Sequence, residues 1–267
     1  MFVKGLVKLG AIARRELTSL FVSPFIYFIV AALTVLALHF FIQYLLLFNA
    51  FVVQSRTQLA FEPQAGISLN MFIQGYFKVL LLIFVFFIPM AAMKVFAEEK
   101  RAGAFEFLVT CPLSTEAIAL GKFIGFFLFL TLITIWISLP PISLFFFAEL
   151  ESPVVFANVL GFWLYTLCLG AIAVLISAAS NNVITSAVVG MVVLLLYYVV
   201  GFSAESLSQE GYENLASFVR YISPIEQSEF FLRGMVKVSS VVYFVSVSLV
   251  CYLFSVRVLE AKRVSKI

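Results

Sequence analysis

The segment EEKRAGAFEFL, residues 98–108, continues through PLS at 112–114 to LGK at 120–122 and separates two long apolar runs. It is a charged island in a chain that is 63% hydrophobic and only 12% charged. Soluble domains average about 25% charged residues, so the composition predicts an integral membrane protein. A charged segment held against a membrane face offers a binding place to a water-soluble partner, which favours a subunit driven from outside over a self-contained enzyme.

Six apolar runs are long enough to cross a membrane, since a span needs about 20 apolar residues and lipid admits only helices or closed barrels. The runs are continuous rather than alternating, which predicts helices and an all-α integral membrane fold. The predicted spans are residues 25–48, 72–96, 119–147, 156–179, 183–202 and 238–256. Pro140 and Pro141 are expected to interrupt the third span near its far end.

The remaining segments complete a single membrane domain over residues 1–267. Residues 1–24 are predicted to form an amphipathic interface helix, with apolar side chains on one face and cations on another, ended by Ser23-Pro24. Residues 97–118 are the predicted cytosolic segment. Residues 203–237 are the predicted external loop, with short helices that dip back toward the membrane.

The distribution of basic residues predicts the orientation of the chain. Cytosolic loops carry the excess of Lys and Arg. With the N-terminus in the cytosol, the inner segments hold most of the 17 basic residues. We therefore expect a multi-pass protein of a bacterial-type inner membrane with both termini in the cytosol.

Catalytic chemistry is missing from the sequence. The Gly121-Lys122 pair is not a P-loop, because Glu116 stands where the first Gly would be and Phe123 where Ser or Thr would be. We identify no hydrolase motif and no Cys/His cluster, so we predict no catalytic, cofactor or metal residues in this chain. The predicted span interiors contain no Asp or Glu, which counts against a carrier driven by an ion gradient.

Two polar residues inside predicted spans leave alternatives open. His39 in the first span could relay protons or bind a ligand, but a packed, locally hydrogen-bonded side chain is favoured because no partner residue accompanies it. Lys78 could face an internal polar path, but an ammonium that extends to the interface is favoured.

The charged island has an internal order of its own. Lys100, Gly103 and Glu106 recur at helical spacing, and Pro112 would break the helix. Ser114 can cap the next helix. This pattern predicts a short amphipathic helix, a turn and entry into the third span. A short rigid helix joined to a span in this way could transmit the movement of a partner protein to the membrane helices.

Three stretches together resemble the ABC-2 type permeases, the membrane subunits of ABC transporters whose ATPase is a separate polypeptide. They are Arg14-Arg15-Glu16-Leu17 with Ser23-Pro24, the charged island through Gly121-Lys122, and Tyr221-Ile222-Ser223-Pro224 with Arg233-Gly234. Within the family, the chain looks most like the gliding-motility type. It departs from the family at Ala104, where Thr is usual, and in the bulkier Phe105-Glu106-Phe107.

The resemblance implies a six-span half-transporter of the type V exporter kind, paired with a second copy or a sister permease. ATP and Mg would be bound by the partner ATPase, not by this chain, and no nucleic acid is expected. The implied ATPase-coupling residues are Glu98, Glu99, Lys100, Arg101, Gly103, Phe105, Glu106, Phe107, Leu108, Pro112, Ser180, Asn181 and Asn182. A coupling helix would run from Glu98 to Cys111. The implied interface-helix residues are Arg14, Arg15 and Glu16.

A second hypothesis is a non-transport membrane scaffold that anchors an ATPase in an envelope or motility assembly. The same coupling helix would serve it, and substrate-stimulated ATP hydrolysis would separate the two hypotheses. The cargo is not defined by the sequence. Few buried polar groups are expected in the spans, which favours a hydrophobic, lipid-linked or amphipathic cargo.

Overall fold

The computed structural model describes residues 2–58, 69–101, 103, 114–146, 151–209 and 212–264, and these residues contain helices but no strand. The helices are α1 (Phe2–Val22), α2 (Pro24–Gln58), α3 (Leu69–Ala92), α4 (Ala97–Arg101), α5 (Thr115–Ser143), α6 (Ser152–Ala179), α7 (Val183–Gln209), α8 (Glu213–Ile222), α9 (Pro224–Leu232) and α10 (Val238–Val264). A single 3₁₀ turn, Leu144–Phe146, follows α5. Six helices, α2, α3, α5, α6, α7 and α10, are long and apolar enough to cross a membrane. The prediction of an all-α fold with six spans is confirmed.

The core of the bundle lies between α3, α5 and α6. Phe162 on α6 packs against two aromatic rings of α3, with ring centroids 4.7 Å away at Phe84 and 5.6 Å away at Phe77. The Tyr165 hydroxyl donates to the Leu81 carbonyl of α3 at 3.0 Å. Aromatic rings bury large areas in fixed geometries, so these three helices form the rigid centre. Helices α2 and α7 lie at the periphery with apolar side chains exposed.

Helix α5 continues through both of its prolines and ends at Ser143, so the predicted interruption at Pro140 and Pro141 is wrong. Pro141 has no amide to donate to the Ile137 carbonyl one turn earlier. The Tyr76 hydroxyl on α3 donates to that carbonyl at 2.8 Å instead. A neighbouring helix therefore satisfies the group that the proline leaves open, which is how prolines are tolerated in lipid.

Helix α1 packs along the first part of α5 at very short range. A Cβ atom at Gly121 would lie 2.7 Å from the Ile12 side chain, and one at Gly125 would lie 2.8 Å from the Ala13 carbonyl oxygen. Two glycines four residues apart thus allow the backbones to approach, as in small-xxx-small packing. Helix α1 ends at Val22 and α2 begins at Pro24, as Ser23-Pro24 predicts.

The segment before the last span contains two short helices. Helix α7 continues to Gln209, beyond the candidate span Val183–Gly201 and into the segment predicted as the external loop. Helices α8 and α9 meet at Ser223-Pro224, the predicted break, where the Ser223 hydroxyl accepts from the Glu226 amide at 3.3 Å. Helix α9 returns to the bundle, because Gly161 of α6 lies directly against the Phe231 side chain.

Candidate functional site

A buried ion cluster joins α1, α4 and α5. Lys122 on α5 is only 2% exposed. Its ammonium lies 2.8 Å from Glu16 Oε2 on α1 and 2.9 Å from Glu99 Oε2 on α4. It also donates to the Val95 carbonyl at 2.6 Å. Lys122 therefore joins its own helix, α5, to two other segments of the chain, α1 and residues 95–99.

The formal charges of this cluster balance. Arg15 contributes a second cation, with its guanidinium 3.9 Å from Glu99 Oε1 at the exposed edge. The Phe96 ring lies with its centroid 5.1 Å from the Lys122 ammonium and covers it from one side. Burial raises the pKa of Glu16, and the neighbouring Lys122 ammonium opposes that rise. The close α1–α5 contact at the two glycines places Glu16 within reach of Lys122.

A second set of contacts caps the end of α6. The last carbonyls of a helix lack amide partners and form its negative end, which attracts cations. Lys100 on α4 donates to the carbonyl oxygens of Ala178 and Ser180, the latter at 3.1 Å. Lys262 on α10 donates to Asn181 Oδ1 at 2.8 Å. The end of α6 is thus held by cations from two other helices.

The backbone at the start of α4 is also attached to α6. The amides of Phe96 and Ala97 both donate to Ser177 Oγ, at 3.3 Å and 3.2 Å. Lys100 and Ser180, which are in contact, are 80 residues apart in the chain. The structure therefore brings together two predicted coupling elements, the charged segment 98–101 and the turn 180–182.

Helix α4 is shorter than the coupling helix implied by the resemblance. It ends at Arg101, and Gly103 adopts a φ of 72°, with its amide donating to the Lys100 carbonyl at 3.2 Å. This left-handed conformation ends helices and is readily adopted only by glycine. A single helix from Glu98 to Cys111 is therefore wrong. The following predicted site residues lie outside the described part of the chain: Phe105, Glu106, Phe107, Leu108 and Pro112.

The three residues predicted on the interface helix have different environments. Glu16 is buried in the ion cluster, Arg15 lies at its edge, and Arg14 is exposed. Lys122 was not among the predicted site residues, although it belongs to the segment that carries the family resemblance. An isolated ammonium inside an apolar span is the signal that could have identified it, because such a charge requires a buried partner.

His39 and Lys78 both lie on the surface of the bundle. His39 is exposed on α2, so the expected packed position within the chain is wrong, and Gln43 one turn later is exposed beside it. Lys78 is exposed on α3. This exposed position is compatible with a Lys78 ammonium that extends to the membrane interface. That location of the ammonium stays a prediction.

Six apolar helices and a charged segment fixed against them describe a multi-pass membrane protein. Residues 51–256 match the family model described as ABC-2 family transporter protein. The match covers most of the chain, which therefore belongs to this family and is a permease subunit of an ABC transporter. No curated protein matches the chain. The gliding-motility subtype stays a prediction from the sequence.

Proposed function

We propose that this permease is coupled to a separate ABC ATPase at the face that carries α4, and that ATP-driven closure of the ATPase moves the spans to export a cargo. The observation that supports this most is the Lys122 cluster, because it joins the charged segment to two neighbouring helices. In this proposal the ATPase binds residues 98–112, with the turn 180–182 as a second, smaller contact. ATP and Mg are bound by the ATPase.

The contacts around α4 give a path for the movement. Helix α4 has only five residues, so its position depends on anchors from other helices. Lys122 attaches it to α1 and α5, whereas Ser177 and Lys100 attach it to α6. A displacement of α4 by the ATPase would move these helices together, because a packed interior transmits strain rather than absorbing it.

The orientation follows from the same face of the bundle. The lysines of α4 and of the end of α10 lie together at the end of α6, as the contacts of Lys100 with Ser180 and of Lys262 with Asn181 show. Cytosolic faces concentrate Lys and Arg. We therefore place this face, and both termini, in the cytosol of a bacterial-type inner membrane.

A second copy or sister permease would cover part of the exposed surface. His39 and Gln43 lie in the span α2 with no hydrogen bond between them or to another described residue. Polar side chains that face hydrocarbon are costly, so a partner permease over this face would stabilise the assembly. The cargo that suits the apolar walls of the described spans is hydrophobic, lipid-linked or amphipathic.

The test is the ATPase activity of the partner ATPase, reconstituted in lipid with this chain or alone. We expect a stable complex in which the permease changes the hydrolysis rate, and Phe107→Ala to abolish that change. Phe146→Ala is the matched control, because Phe146 is exposed in the 3₁₀ turn on the opposite side of the membrane.

Three outcomes would contradict the proposal in different ways. Normal coupling in Phe107→Ala would show that the charged segment is not the contact. A complex whose hydrolysis never responds to any cargo would favour the scaffold hypothesis. Absence of a complex with every candidate ATPase would contradict both the coupling proposal and the ATPase-anchoring scaffold, and would favour an ATP-independent carrier.

A further inference from the structure

A cavity opens on the face that carries α4, between the first turns of α2 and α7. Its volume is about 440 Å³. Phe25 and Val183 line it from the starts of these two helices. The other lining residues follow α3 or belong to α4: Met93, Lys94, Glu98 and Arg101.

The charges of this cavity leave a net positive site. The Lys94 ammonium lies 3.3 Å from Glu98 Oε2 and donates to the Ser23 hydroxyl at 2.5 Å, so the Glu98 carboxylate that lines the cavity is already paired. Arg101 is exposed and has no carboxylate within ion-pair distance among the described residues. Among the described residues, the Arg101 guanidinium therefore lines an open space of ligand size without a carboxylate partner.

The helix ends around the cavity add to this positive potential. Both α2 and α7 begin here, and the N-terminal end of a helix carries a partial positive charge. Helix α3 ends here, but its terminal carbonyls are occupied: the Lys94 amide donates to Ala91 and the Val95 amide to Ala92, at 3.3 Å and 3.0 Å. The site therefore favours an anion.

The walls beside the cavity are apolar and exposed. Phe28 on α2 is 75% exposed, and Ile184 and Val188 on α7 are exposed along the same two helices. A soluble anion would leave these walls uncovered, and so would an acidic side chain of a protein partner. A ligand with an anionic head and hydrocarbon tails would fill the cavity and cover the walls.

We propose that this cavity binds the phosphate-bearing headgroup of an anionic membrane lipid, with Arg101 as the main anionic contact. The acyl chains lie along the exposed faces of α2 and α7. The assignment of the lipid to the cytosolic leaflet rests on the proposed orientation, whereas the binding site itself does not. The site would retain such a lipid in the permease alone, without an ATPase.

The experiment uses the full chain, purified without an ATPase from nanodiscs of equal parts phosphatidylcholine and phosphatidylglycerol. Native mass spectrometry then counts the lipids that each protein retains. We expect Arg101→Gln to lower phosphatidylglycerol retention about fivefold, the effect of one basic charge near a membrane surface, with phosphatidylcholine unchanged. Arg257→Gln is the matched control, because its side chain is 80% exposed near the end of α10 and does not line the cavity.

Three results would overturn the proposal. Equal losses of phosphatidylglycerol in Arg101→Gln and Arg257→Gln would indicate that the lipid is attracted to the basic surface in general and not to the cavity. Displacement of the retained lipid by soluble glycerol phosphate at similar concentration would indicate a site for a free anion. Normal phosphatidylglycerol retention in Arg101→Gln would show that the cavity does not bind the lipid headgroup. Since the lipid measurement contains no ATPase, its failure would leave the coupling proposal standing.

Discussion

Replacing Lys122 by Met is the sharpest test of the buried ion cluster. Methionine keeps a similar length and an apolar stem but removes the ammonium. The substitution would leave Glu16 and Glu99 together without their shared cation and would also remove the hydrogen bond to the Val95 carbonyl. Breaking a buried ion pair by removing one partner costs about 3–5 kcal/mol, because the remaining charge stays buried without compensation.

The measurement is thermal unfolding of the purified permease in detergent. A chain of this size loses roughly 2–4 °C in Tm for each kcal/mol, so we expect Lys122→Met to lower the Tm by about 10 °C. The control is Arg257→Met, which breaks the pair with Glu260 at the surface. An exposed pair contributes about 0–1 kcal/mol, so that variant should unfold close to the wild type.

A second substitution separates electrostatics from packing. Adding Glu16→Gln to Lys122→Met replaces a buried uncompensated carboxylate by a neutral amide, and we expect part of the lost Tm to return. If Lys122→Met has the same Tm as the Arg257→Met control, the buried charges do not hold α1 and α4 to α5. If the double variant is no better than the single one, the loss comes from packing, and the reasoning is refuted.

Three further variants test other parts of the bundle. Gly125→Ala should lower the Tm, since its Cβ would meet a carbonyl oxygen of α1 at 2.8 Å, whereas Gly10→Ala meets nothing within 4 Å and should leave the Tm unchanged or raise it. Tyr76→Phe should cost about 1 kcal/mol, and the exposed Tyr27→Phe should not, as chemical denaturation would show. Glu99→Lys should insert normally but lose ATPase association; unchanged association in a pull-down would contradict the placement of the contact.

The six spans are the part of the fold that the sequence predicts best. Each has enough apolar residues to identify it without any knowledge of its neighbours. Their ends are less predictable: the first span is predicted to end at residue 48, yet α2 continues to Gln58. No Pro or Gly interrupts that stretch, and polar helix formers can extend a span into water.

The sequence analysis identified the segments that form the ion cluster, but not the contacts between them. The segments with Glu16, Glu99 and Lys122 all belong to the family resemblance, yet Glu16 and Lys122 are 106 residues apart and no local pattern pairs them. Helical spacing also continues across Gly103, although the helix ends before it. A left-handed turn is compatible with the same apolar and polar spacing, so periodicity alone could not find that end.

The described contacts distinguish two parts of the bundle: the face of α4, which hydrogen bonds and ion pairs hold together, and a loosely packed periphery. At the face of α4, three lysines connect different parts of the chain: Lys122 donates to α1, Lys100 to the end of α6, and Lys94 to Ser23 between α1 and α2. Helices α2 and α7, by contrast, expose much of their apolar surface. A force on α4 therefore acts first on the rigid centre. The peripheral spans have fewer packed neighbours within the chain, so we expect the ATPase cycle to change their positions relative to that centre as the centre moves.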